Sequence, residues 1–273
     1  TGYDEMSVDQ FQSQVHLLSL RDITSEWEAQ RLQQEMAMAR HMQTSILPSR
    51  LPATAVFDVA ARCLPASQVG GDIYDARLLA DGSLAILLGD AAGHGTDSAL
   101  LAAVAAGAFR TALEYDPTPA MVLAAIDRAL MAVDHRGFVS VAYLLFAARG
   151  DRMSYGLAGH PPLFLAGPHT TTPADPPLPS SIPLGVKLPS SYYLENVALR
   201  GETVIAVCSD GLLDLPVGDG LFASHLPYIL DPHIPAESLV KRILDAAGGY
   251  RGESGEQDDD ITIVVVRVQS QAR

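Results

Sequence analysis

Apolar runs that stop on an aspartate constrain this chain more than anything else in its sequence. The clearest is Ser83 to Gly95, where Leu84 to Leu88, bounded by Gly82 and Gly89, leads to Asp90. A short apolar run between turn residues reads as a strand buried on both faces. A chain of such strands must stack its sheets against other layers. The pattern recurs: Val69-Gly70-Gly71-Asp72 leads into a strand, Val204 to Ser209 runs into Asp210-Gly211, and Asp258-Asp259-Asp260 opens Ile261 to Val266. Four places thus put Asp at strand ends.

A carboxylate at the end of a buried strand loses water. Several brought together repel and raise one another's pKa values unless a cation neutralises them. The candidate ligands are all oxygens, with no His or Cys at metal-binding spacing, which points to a hard ion, Mg²⁺ or Mn²⁺. Taken singly, an Asp before Gly also serves as a turn cap.

In chain order, Ser25 to Leu47 holds no Gly or Pro and Pro48 stops it, so it reads as one helix of about 23 residues, roughly 35 Å long. Ala29, Leu32, Met36, Ala39 and Ile46 form a three-four stripe interrupted by Gln43, which suits either a short coiled coil or packing on the chain's own domain. Val56 to Leu64 and Ile73 to Leu79 read as strands, Asp81-Gly82 as a hairpin turn and Leu84 to Leu88 as the strand leading to Asp90. Two helices follow, Thr96 to Tyr115 and, capped by Thr118-Pro119, a second to about Val133.

Strands are expected at Val139 to Ala147, Arg152 to Leu157, Leu163 to Ala166, Tyr193 to Leu199 and Val204 to Ser209. His169 to Pro189 is Pro-rich and reads as a surface loop. Glu237 to Ala247 is a helix ended by Gly248-Gly249, and Gly252 to Gln257 is a polar loop. Strands in runs and helices in runs indicate an α+β layered fold.

The formal net charge of −14 argues against nucleic acid, because phosphate binding needs a surplus of Lys and Arg. A metal or a protein partner suits it better. No apolar run approaches the eighteen or so residues of a membrane span, and no basic, apolar signal segment opens the chain. Cys63 and Cys208 are the only cysteines, unpaired by any CxxC spacing, and fit small core residues in a reducing cytoplasm.

Six motifs then come in order: Val69-Gly70-Gly71-Asp72-Ile73-Tyr74-Asp75, Gly89-Asp90-Ala91-Ala92-Gly93-His94-Gly95, Ala158-Gly159-His160-Pro161-Pro162, Pro183-Leu184-Gly185, Ser209-Asp210-Gly211-Leu212 and Asp259-Asp260-Ile261-Thr262. In order and spacing they resemble the bacterial PPM-type serine phosphatases, in the branch of the stage II sporulation protein E phosphatase and the stress-response sigma-factor regulators. The resemblance covers about Glu28 to Val268. It implies a four-layer αββα sandwich of two antiparallel sheets, running here from about residue 52 to 273 and preceded by a helical linker over 25–51. Residues 1–24 end in Asp22-Ile23-Thr24 and resemble the last strand of a PAS sensor domain.

For the site, the resemblance implies two Mn²⁺ or Mg²⁺ ions. Asp90 would bridge them, the Ala91 carbonyl, Asp210 and Asp259 would complete the first, and Asp72 would hold metal-bound water or bind directly. Asp260 stands where many relatives have Asn and is not counted, Asp258 and Asp75 are weaker candidates, and His94 reads as a loop residue. Some relatives differ: Gln68 replaces a common Glu, Leu157 a common Asn, and no Arg stands at the eukaryotic phosphate clamp. The implied activity is metal-dependent dephosphorylation of a regulatory phosphoprotein of the anti-sigma antagonist type, in a homodimer paired through the linker under an upstream sensor. Two other readings share the residues: a phosphatase-like binding module without catalysis, and a two-metal phosphodiesterase acting on a small molecule.

Overall fold

The computed structural model describes residues 27, 30, 31, 33, 34, 38, 40, 43–67, 69–93, 95–133, 137–168, 181–186, 192–217, 220–248 and 259–269. The PAS-like strand, the stripe residues Ala29, Leu32, Met36 and Ala39, Gln68, His94, Asp258, the Gly252 to Gln257 loop and most of the Pro-rich loop lie outside them. The chain divides into two compact units, Thr1–Met42 and Gln43–Arg273. In the first, the described residues are helical. The second holds everything below.

Eleven strands are defined among the described residues, nine of them in two antiparallel sheets. The first sheet has the order β1-β11-β8-β6, from β1 (Phe57–Leu64), β11 (Ile261–Val268), β8 (Thr203–Cys208) and β6 (Phe164–Ala166). The second has the order β2-β3-β4-β5-β7, from β2 (Asp72–Leu78), β3 (Leu84–Ala91), β4 (Val139–Phe146), β5 (Arg152–Ala158) and β7 (Tyr193–Ala198). A small hairpin, β9 (Pro216–Val217) with β10 (Gly220–Leu221), stands apart.

Period-two alternation explains why the central strands read as continuous apolar runs. In β3, Leu84, Ile86 and Leu88 enter the core between the sheets, while Ala85, Leu87 and Ala91 face α1 (Thr96–Leu113) and α2 (Pro119–Ala132). In β11, Val264, Val266 and Val268 join the same inter-sheet core. Ile261, Ile263 and Val265 face α5 (Ala236–Gly248) and the short α3 (Asp210–Leu213) and α4 (Leu226–Ile229). Both faces of each sheet are thus covered, and the architecture is the expected four-layer αββα sandwich. No helix among the described residues is long and apolar enough to cross a membrane.

Two local expectations are corrected. β3 does not stop at Leu88: pairing with β2 and β4 carries it to Ala91, so Asp90 lies inside the strand. Thr118 precedes α2 but makes no side-chain cap. Instead the Thr118 N–H donates to Asp116 Oδ1 at 2.9 Å, and Pro119 starts the helix where a missing N–H costs nothing.

Candidate metal centre

Register brings the first two carboxylates together. β2 and β3 pair with Asp72 directly opposite Asp90, so both side chains leave the sheet on the same face. Like charges in that position repel. From the other sheet, Asp210 opens α3 just after β8, and Asp259 sits just before β11. Ser209 fixes their spacing: its N–H donates to the Thr262 carbonyl at 2.9 Å, and its Oγ accepts the Thr262 N–H at 2.8 Å.

The electrostatics record this crowding. Burial, then the charges of Asp210, Asp259 and Asp260, push Asp90 up to about 7. Burial, then Asp90, raises Asp72 well above the carboxylate range, while the nearby Thr262 and Ser209 hydroxyls oppose the shift. Asp259, more exposed, is also raised, first by burial and then, against its bond to the Asp260 amide, by Asp210 and Asp260.

Asp72 tests whether a cation suits this place. Both its oxygens are buried with no hydrogen-bond partner among the described residues. A carboxylate so placed is costly unless it is protonated or neutralised by a cation, and an all-oxygen set with a neighbouring carboxylate suits a hard divalent ion. Among the described residues no three His, Cys, Asp or Glu side chains close around one point as they stand. Asp210 Oδ1 accepts the Gly211 N–H at 2.9 Å, and Asp259 Oδ1 accepts the Asp260 N–H at 2.8 Å.

The uncounted aspartates have other work. Asp260 is buried and holds the loop before β2, accepting the Ala66 N–H at 2.8 Å on Oδ1 and the Gly71 N–H at 2.6 Å on Oδ2. Glycines are required in that loop: a Cβ at Gly70 would run into the Asp260 carboxylate, and one at Gly71 into the Ala91 carbonyl. Asp75 pairs with Arg77 at 3.0 Å and Arg110 at 2.6 Å. It is a structural carboxylate.

The family described as Stage II sporulation protein E (SpoIIE) matches residues 80–269. The chain belongs to the SpoIIE family. Phosphoserine phosphatase RsbU of Bacillus subtilis is 26% identical over 243 residues, covering 87% of this chain and 71% of RsbU. The PP2C domain of SiaA from Pseudomonas aeruginosa superposes with a TM-score of 0.71 at 24% identity, covering 88% of this chain and 98% of that one. The catalytic domain of the serine/threonine protein phosphatase PstP, solved with two manganese ions, superposes at 0.59 with 18% identity, covering 78% and 99%. The fold is that of PP2C phosphatases, and the sequence-based assignment to a protein serine/threonine phosphatase stands. The SpoIIE match begins past Asp72, whereas the SiaA superposition covers more of the chain.

Three features of the site were not read from sequence. Ser209 and Thr262 show no role in their local motifs, because their pairing spans 53 residues. Arg110 carries no signal of its own within the helix expected over Thr96 to Tyr115. Gln43 looked like an interruption of an apolar stripe, and a polar residue breaking such a stripe was the available signal.

Proposed function

We propose that this chain is a metal-dependent protein serine/threonine phosphatase that removes phosphate from a regulatory phosphoprotein. The observation that carries this is the cross-strand pair of buried Asp72 and half-buried Asp90, with both Asp72 oxygens unpartnered among the described residues. Asp90 would be shared by two Mn²⁺ or Mg²⁺ ions, with the Ala91 carbonyl, Asp210 and Asp259 on one side and Asp72 on the other. Such ions supply a water that is acidic near neutral pH and positive charge against the phosphoryl oxygens. The chain then needs no nucleophile of its own. Its residues orient the ligands: Asp260 fixes the amides that precede the Asp72 side chain, and Ser209 with Thr262 holds the Asp210 and Asp259 strands abreast.

The decisive experiment is Mn²⁺-dependent phosphate release from phosphorylated anti-sigma antagonist proteins, the substrate type that the family resemblance suggests, with Asp90→Asn as control. No release at saturating Mn²⁺ ends the reading. Free Cys63 and Cys208 support action in a reducing cytoplasm. For regulation, the reading is a PAS-like segment over 1–24 feeding a linker over 25–51 that pairs two chains ahead of a catalytic domain over 52–273. Leu32→Glu with Met36→Glu places like charges across that seam. Sedimentation should then show monomers where the parent chain is dimeric, and a monomer in both forms removes the dimer from the scheme.

A further inference from the structure

Gly70 and Gly71 cannot locate themselves. They carry no side chains, and glycine has the widest backbone freedom of any residue, yet they lead straight into Asp72. Outside partners therefore set their position. On one side stand Asp260, which accepts the Gly71 N–H, and the Ala91 N–H, which donates to the Gly71 carbonyl at 3.2 Å. On the other stands a single side chain from 27 residues earlier. The Gln43 amide donates from Nε2 to the Gly70 carbonyl at 2.6 Å and accepts the Gly70 N–H on Oε1 at 3.1 Å. One side chain thus takes both backbone polar groups of Gly70, pairing with it as a neighbouring strand would.

Residues 43–46 are helical, and a second tie anchors them independently: an Arg110 Nη2 hydrogen bond to the Ile46 carbonyl, with Arg110 also holding Asp75. The two ties serve different ends. Arg110 fastens the helix end to α1 and β2, and Gln43 holds the loop that aims Asp72.

We propose that Gln43 is a positioning residue for the metal centre, clamping Gly70 so that the Asp72 carboxylate is held ready for the ion it would bind. The inference rests on the phosphatase reading above. Residues that orient ligands from behind typically change metal affinity by 10- to 100-fold when replaced.

The test uses the whole chain and Mn²⁺ alone. Gln43→Met keeps the length and packing of the side chain and removes both hydrogen bonds. Calorimetric titration should show Mn²⁺ binding weakened by about tenfold or more, with cooperative thermal unfolding retained in EDTA. Turnover should fall at limiting Mn²⁺ and recover at saturation. Arg110→Met is the comparison: it cuts the other tie, and should lower the melting temperature while leaving Mn²⁺ affinity within about twofold. Parent-like Mn²⁺ binding in Gln43→Met, or equal loss in both variants, overturns the proposal. A parent chain that neither binds Mn²⁺ nor releases phosphate overturns the metal-centre reading itself, and this one with it.

Discussion

Asp72 and Asp75 lie three residues apart on one strand, and each is about 1% exposed. Asp75 is gripped by two guanidinium groups, from Arg77 beside it and Arg110 on α1. Asp72 faces another carboxylate, and its oxygens form no hydrogen bond among the described residues. Burial is the same, so burial does not mark function. What differs is whether the fold supplies the countercharge, and His160 adds a third case: a buried titratable ring whose Nδ1 lies 3.0 Å from the Pro161 carbonyl oxygen.

Four measurements press on this contrast. The largest effect belongs to Asp90→Asn, which removes the charge opposite Asp72. Mn²⁺-dependent phosphate release should drop by about 10³-fold or more, and near-parent turnover at saturating Mn²⁺ would put the carboxylate pair outside the reaction. His160 comes next. Burial lowers its pKa from 6.5 to about 4, so the folded state disfavours the proton that the unfolded chain accepts. Its stability contribution is complete above pH 6.5 and is lost as the pH falls towards 4. The loss is on the order of 3 kcal/mol. It is read as the difference in urea unfolding free energy between the parent and His160→Gln across that window, and a pH-independent difference would contradict it.

Asp75→Ala should cost about 2 kcal/mol. That is below the usual penalty for breaking a buried pair, because Arg77 and Arg110 are 44% and 35% exposed and regain water. A melting point lowered by roughly 4–8 °C is expected, with Mn²⁺ affinity kept. The smallest effect has the opposite sign. In EDTA, Asp72→Asn relieves a like-charge contact and should raise stability by about 1 kcal/mol. If both substitutions shift the melting point the same way, the contrast between paired and unpaired aspartate collapses.

The sequence singled out Asp72, Asp90, Asp210 and Asp259 because each stands at one end of a strand-like run, a pattern readable from neighbours alone. The layers were legible for the same reason: runs such as Ile263 to Val266 are apolar at every position only when both faces are covered. What stayed hidden depends on contacts far apart in the chain. Arg110 meets Asp75 across 35 residues, Gln43 meets Gly70 across 27, and Asp260 reaches Gly71 across 189. No local period encodes these. β3 outran its expected end because two partner strands extend it through Gly89 to Ala91.

β11 lies between β1 and β8, although it is made long after both. During synthesis at 5–20 residues per second, β1 must wait roughly 10–40 s for its neighbour, with an open edge that other chains could use. Asp259 and Asp260 arrive on that same late segment, so a nascent chain should be chemically silent until its sheet closes. A truncated translation product lacking residues 259–268 would then be a burden for chaperones and, with Asp259 missing from the proposed metal centre, inactive.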